Sequence, residues 1–323
     1  MIDVVKVETA GERPSDATSD GHRHRNWLRP NSTREPRRVG YAYVLPAMTV
    51  YSLFVLLPFM YSLFLSFFNW GGVGPLVFAG FSNYLNIFKQ PELVGSFIHS
   101  VILVGFFAAL PIIIALFLTA VLTRVPIRGL PFYRAILFLP QVVALVAVAT
   151  IWEWILGPDG PLNDVLRSAG LGSLAQTWLG SFTWALPAVG IVGSWVGYGF
   201  AMVLFMAGVE KIPPSLYDAA RIDGAGPLRE FVAVTLPGLR NELTVVCVLT
   251  ITGALTAFDL IYVMTLGGPG TSTYVPAYSL FLLAFTDYQI GAAAAMGVVL
   301  AILVFGIALL VLRFARTEKE DDE

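Results

Sequence analysis

The chain is poor in cysteine, histidine and charge. Its 323 residues include one cysteine, Cys247, which excludes an internal disulfide and a thiolate metal site. Its three histidines (His22, His24 and His99) are too few and too scattered for a metal cluster, so no metal site is expected. Charged residues make up 13%, against roughly 25% in a soluble globular protein. A net charge of -2 leaves no basic field for nucleic acid. The patterns G-x-x-x-x-G-K-[ST], H-E-x-x-H and G-x-S-x-G do not occur, so the chain has neither a phosphate loop nor these common catalytic signatures. What it has in abundance is apolar residues, 56% of the total. The composition points to an integral membrane protein and away from an enzyme.

A helix needs about 20 apolar residues to cross the hydrocarbon core. Six stretches qualify: 41–68, 97–123, 135–157, 182–209, 241–263 and 291–312. A seventh run, 275–286, is too short to cross and is expected to be re-entrant or interfacial. The segments 1–40, 124–134, 210–240 and the C-terminal tail together hold 18 of the 20 Lys and Arg residues. Such asymmetry marks the cytoplasmic side. The expected fold is all-α and polytopic: six transmembrane helices, both termini cytoplasmic, and a cytoplasmic helix between spans four and five. Residues 1–39 read as a disordered cytoplasmic arm. Residues 40–96 hold the first span and an outer loop, 97–312 form a five-span core that includes the 210–240 loop, and 313–323 are a cytoplasmic tail. His22-Arg23-His24-Arg25 is best read as a solvated basic stretch near anionic lipid.

The loop EKIPPSLYDAARIDGAGPLREFVAVTLPGLR (210–240) breaks the pattern. Pro213 and Pro214 stop the fourth span. Ser215 is placed as an N-cap with Asp218 three residues on, a capping box with a shortened acid. About two helical turns follow over 216–223. Gly224 falls where a left-handed residue is favoured, and Pro227 can open a second helix. That helix runs to about Thr235, and Leu236-Pro237 leads into the fifth span. The unit is a rigid cytoplasmic knob, and Ala219 and Ala220 give it a smooth face that could seat in another protein's groove. A helix lying on the membrane would instead carry large apolar residues on one face.

Asp218-Ala219-Ala220, Gly224 and Leu236-Pro237 resemble the EAA loop of ABC-importer permeases. That pattern is EAA, three residues, Gly, nine residues, Ile-x-Leu-Pro. Asp218 replaces its Glu and Val234 its Ile. The stretches Phe258–Thr273 and Phe132–Asn163 are similar to the maltose and glycerol-phosphate type of sugar permease. The resemblance covers roughly residues 40–312. It implies a multi-pass permease subunit of the bacterial inner membrane, importing sugar, with Asp218, Ala219, Ala220, Gly224 and Pro237 coupling it to an ATPase. It also implies the partners: a second permease subunit in an expected heterodimer, an ATPase dimer that binds ATP and Mg, and an extracytoplasmic solute-binding protein. No cofactor is expected on this chain.

Ionisable residues within spans invite a functional reading. Glu153 and Asp259 both approach the outer boundary, either as wet interfacial carboxylates or as lining of an outward mouth. Thr252, Thr256 and Asp259 fall on one helical face, which suits a neutral polyol, although threonines also bond their own helix. Trp195 and Tyr198, deeper in span four, could stack on sugar or pack between helices. Trp152, Trp154 and Trp184 read as interfacial belt residues. Gly193-x-x-x-Gly197 allows close helix approach, and a neighbouring partner permease is one reading of it. The alternatives are a permease for a non-sugar solute, an intramembrane enzyme and an ion-coupled carrier. The last would need an inverted repeat and midplane charges.

Overall fold

The computed structural model describes residues 37–124 and 128–320. The described residues divide into two units, with the division between Leu53 and Phe54. In the first unit, helix Arg37–Tyr51 contains Pro46 and exposes Tyr41, Tyr43, Leu45 and Met48. An exposed surface this apolar suits lipid rather than water. The expected arm lies outside the described residues, except that residues 37–39 already belong to this helix.

Among its described residues the second unit has helices, their connections and one antiparallel pair of two-residue strands, Phe68–Asn69 and Val77–Phe78, with Phe68 opposite Phe78. Five helices of the described chain are long and apolar enough to cross a membrane: Tyr43–Leu65, Pro91–Thr123, Ala185–Val209, Arg240–Met264 and Ile290–Ala315. Pro91–Thr123 begins earlier than expected because Pro91, with its fixed φ and no N–H to satisfy, suits a first helical turn. The boundary drawn between residues 96 and 97 therefore falls inside a helix. The last helix continues to Glu320, so the expected tail starts as its extension.

The expected span 135–157 is not one straight helix. Leu130–Val142 and Leu145–Ile155 meet at a bend of 91°. Val143 and Ala144 are extended, with ψ of 137° and 130°. Pro140 removes one N–H from the turn before the break. Each half has its own neighbour: Leu130–Val142 packs on Ala185–Val209, and Leu145–Ile155 packs on Asp259–Met264. The 241–263 stretch is interrupted too, because Thr256, Ala257 and Phe258 separate helix Arg240–Leu255 from helix Asp259–Met264. The short apolar run is helix Pro276–Thr286, part of which packs against the last helix. The Tyr278 hydroxyl donates to the Leu266 carbonyl at 2.8 Å and ties this helix to the loop before it.

Ala185–Val209 is the most buried of the five helices. One apolar cluster gathers its Val189, Val192 and Val196 with Leu103, Val148 and Ile261. A second gathers Ala201, Met202, Phe205 and Met206 with Ala115, Leu239 and Val246. Glycine permits a close backbone approach: a Cβ on Gly199 would lie 2.5 Å from the Leu137 carbonyl oxygen. On the Gly193-x-x-x-Gly197 stretch the expected close approach is made within the chain, by Phe107 against Gly193 and Pro111 against Gly197.

Candidate functional site

A cavity of about 490 Å³ opens where the interrupted helices converge. Gln141 and Leu145 line it from either side of the 91° bend. Gly193, Gly197 and Phe200 line it from Ala185–Val209, with Phe107 beside them. Thr250, Gly253, Thr256, Phe258 and Asp259 close it from the interrupted fifth stretch. Residues 193–200 occupy the middle of a 25-residue helix, about 12–22 Å along it at 1.5 Å per residue. The cavity also lies between the two apolar clusters, since Val196 belongs to one and Ala201 to the other. Irregular backbone at such a depth is tolerable only where it faces protein or a water-filled space.

The polar lining is sparse and uneven. Thr250 Oγ1 donates to the Val246 carbonyl at 2.8 Å, and Thr256 Oγ1 to the Thr252 carbonyl at 2.9 Å. Each hydroxyl oxygen keeps lone pairs for an incoming donor. Asp259 places a carboxylate in the first turn of Asp259–Met264. The Gln141 side chain adds both donors and an acceptor.

Of the residues expected along the solute path, Thr256 and Asp259 reach this cavity and Thr252, Trp195 and Tyr198 are absent from its lining. The expected stripe of Thr252, Thr256 and Asp259 needed a continuous helix, and the interruption at 256–258 destroys that phase. The lining face is instead Leu249, Gly253 and Thr256, while Thr252 Oγ1 donates to the Val248 carbonyl at 2.6 Å. Asp259 lines the cavity from the start of helix Asp259–Met264 and is exposed, and Glu153 is exposed and lies outside the cavity lining. Trp195 packs edge-to-face on Trp152 at 5.6 Å, so Trp152 is more than a belt residue. Gln141 was missed, although it is the lone polar residue between Arg134 and Thr150 and thus carried a signal.

The second feature is the loop after Val209. Helix Pro214–Ile222 starts one residue before Ser215, with Pro213 at its N-cap and no side-chain cap bond. Ser215 is therefore not the cap, because proline at the first position already fixes the helical φ. Asp218 instead meets Arg221 at 3.4 Å. The helix ends on Gly224, at φ +75°. Ala225 N–H donates to the Ala220 carbonyl at 2.9 Å, and Gly224 N–H to Arg221 at 3.0 Å, the bond pair of a Schellman end. Pro227 then opens the second helix, which continues through Phe231–Thr235 and Leu236–Gly238, so Pro237 sits inside it and not at a turn.

The loop is braced at its base and bare at its tip. Arg221 Nε lies 3.3 Å from the buried carboxylate of Glu230, and the Tyr217 and Thr235 hydroxyls are 3.2 Å apart. Glu210 pairs with Arg134 at 3.2 Å and Lys211 with Glu242 at 2.7 Å. These pairs tie the loop's root to the bent pair and to the interrupted fifth stretch, the helices that frame the cavity. Ala219 is exposed and Ala220 half-buried, and Leu216, Ile222, Leu228 and Val232 around them are exposed. Exposed apolar side chains therefore flank the two alanines. Sequence reasoning named the alanines and missed these four.

Apolar helices around a cavity with a few polar groups in its wall, and a braced loop beyond it, define a polytopic membrane protein built to pass a solute. Residues 127–317 match the family described as binding-protein-dependent transport system inner membrane component, and the chain belongs to that family. It is 34% identical to the probable ABC transporter permease protein YurN of Bacillus subtilis, over 88% of this chain and 98% of that one. It is 35% identical to the diacetylchitobiose uptake system permease protein NgcF of Streptomyces coelicolor, over 94% of this chain and 89% of that one. Its fold is similar to a crystal structure of a bacterial ABC transporter involved in import of the acidic polysaccharide alginate. The TM-score is 0.74 at 24% identity, covering 87% of this chain and 96% of that one. The chain is thus a multi-pass inner-membrane permease component of an ABC importer.

Proposed function

We propose that this permease passes a neutral sugar through the cavity between its interrupted helices. The observation that carries the reading is the set of polar and aromatic groups in an otherwise aliphatic wall: the Thr250 and Thr256 hydroxyls, the Gln141 amide, and the Phe107, Phe200 and Phe258 rings, with Asp259 as the one charged group. Hydroxyl and amide groups satisfy a polyol without counter-charge, and the carboxylate disfavours an anionic solute. The relative named for diacetylchitobiose uptake supports a carbohydrate. In this reading the bent pair completes a sixth span, and both termini face the cytoplasm with the cation-rich segments. A second permease subunit completes the pathway, and an extracytoplasmic binding protein delivers the solute.

The loop is the coupling element of this proposal. Helix Pro214–Ile222 seats on a separate ATPase subunit through Asp218, Ala219, Ala220 and the apolar residues around them, with Gly224 fixing the helix end and Pro237 stiffening the return. ATP and Mg are bound by that subunit. Movement of the knob reaches the cavity through the Glu210–Arg134 and Lys211–Glu242 pairs, a rigid-body transmission.

The test is uptake of labelled diacetylchitobiose, maltose and lactose by cells carrying the permease and its partner subunits. Asp259→Leu combined with Thr256→Val is expected to lower uptake at least tenfold (about 1.4 kcal/mol), with insertion and ATPase co-purification unchanged. Normal uptake in that variant, or uptake of amino acids in place of every sugar, would overturn the proposal.

A further inference from the structure

A second polar pocket, of about 480 Å³, shares no lining residue with the central cavity. It forms where the Phe68–Asn69 and Val77–Phe78 hairpin, helix Ser82–Lys89 and the turn at 287–289 meet the start of the last helix. The junction is tightly built. Gly291 N–H donates to the Trp70 carbonyl at 3.2 Å, and a Cβ on Gly71 would lie 3.0 Å from the Tyr288 carbonyl oxygen. Buried Asn83 donates to the carbonyls of Ser66 and Phe68, both at 3.0 Å. Ile87, Leu93 and Leu283, members of one buried cluster, form the apolar part of the wall.

The remaining wall is made of amides and rings: Asn69, Asn86, Gln90 and Gln289, with Trp70 and Tyr288. No lining residue is charged. Tyr288 stands at φ +53°, where glycine would sit without strain. It follows helix Pro276–Thr286 in a turn closed by the Gln289 N–H donating to the Leu283 carbonyl at 2.7 Å. The Tyr288 side chain is 67% exposed and stands at the rim of the pocket.

We infer that this pocket binds a neutral glycosyl unit. Each amide offers a donor beside an acceptor, which matches neighbouring hydroxyls. The two rings offer apolar faces for sugar C–H groups. With no charge in the wall, neither an anion nor an ammonium group finds a counter-ion there. The inference rests on the transport reading and its orientation, in which segments 69–96 and 264–290 lie outside. The pocket then meets sugar before the central cavity does.

The test uses the permease with its partner subunits in phosphatidylcholine nanodiscs, without the binding protein, in an Asp259→Leu background that weakens the central cavity. Diacetylchitobiose, maltose and lactose are titrated and followed by ligand-observed NMR. One of the three is expected to bind, with affinity about tenfold weaker once Asn86→Leu and Gln90→Leu are added. Tyr288→Gly releases the strained turn, so it should fold at least as well and yet bind several-fold more weakly. Unchanged affinity in both pocket variants, or no binding of any of the three sugars, overturns the inference. In a second arm the nanodiscs carry digalactosyl diacylglycerol: unaltered sugar binding supports a site open to water, and complete displacement assigns the pocket to a lipid headgroup and overturns the water-side reading. In intact cells, labelling of Gln90→Cys by a membrane-impermeant maleimide supports the outward placement. Labelling confined to inverted vesicles overturns it. Cells that import sugar while the pocket variants bind it normally remove this inference alone, and cells that import no sugar remove the transport reading.

Discussion

Within the loop at 210–240, single residues decide the backbone. Pro214 opens a helix, Gly224 closes it at φ +75° and Pro227 opens the next. At the central cavity no residue has that authority. Val143 and Ala144 are ordinary residues in extended conformations, and Thr256-Ala257-Phe258 interrupts a run that reads as continuous helix. The helices there stop because their two halves answer to different neighbours, Ala185–Val209 for one half of the bent pair and Asp259–Met264 for the other. Local preference shapes the part offered to a partner, and packing shapes the part offered to the solute.

The strongest way to break this comparison is to remove the packing. Gly199→Val would drive a side chain into the Leu137 carbonyl oxygen, 2.5 Å from the first added carbon, and a backbone atom cannot swing aside. Overpacking of this kind costs about 1–3 kcal/mol even where neighbours are flexible side chains. The expected outcome is loss of the monodisperse peak in size-exclusion chromatography. Gly253→Ala is the control, because a Cβ there meets nothing within 4 Å and the variant should elute normally. A well-folded Gly199→Val would show that the bent pair does not depend on its seat against Ala185–Val209.

A smaller effect, confined to the loop, is expected from Gly224→Leu. The position has open space around it but a left-handed backbone, which costs a non-glycine residue roughly 1–2 kcal/mol. The chain should therefore insert normally, while the helix end distorts and ATPase co-purification falls about tenfold. Gly224→Asn should restore most of it, since asparagine tolerates that conformation. Equal recovery of the ATPase with leucine and with glycine would mean that the shape of the helix end does not matter for docking.

The same division explains what could be read from the chain. Five of the six expected spans were legible because a lipid-facing helix must be apolar along its whole length. Gly224 and Pro227 were legible because their chemistry restricts φ wherever they occur. The bend at Val143 was not, since Pro140 lies three residues before it and many helices tolerate such a proline with a kink. Asp259 was visible as an acid in an apolar run, but its companions were misassigned. Thr252 was placed beside it by extending a helix that stops at Leu255. Gln141 and Thr250 became its neighbours only once the chain had folded.

Even within the loop, a local rule can name the wrong residue, and Ser215 shows how to detect this. A serine ahead of a helix with an acid three residues on is a strong capping signature. Here Pro214 already occupies the first helical position and Pro213 the cap, so Ser215 lies inside the helix without a side-chain cap bond. Had Ser215 capped the helix, Ser215→Ala would cost about 1 kcal/mol. From its observed position the cost should be close to zero, since alanine is the better residue inside a helix. Thermal unfolding followed by tryptophan fluorescence distinguishes the two, with an unchanged midpoint and unchanged ATPase co-purification expected. A clear drop in the midpoint would mean that the helix begins two residues later, at Leu216, with Pro213 and Pro214 both outside it and the serine hydroxyl closing its first turn.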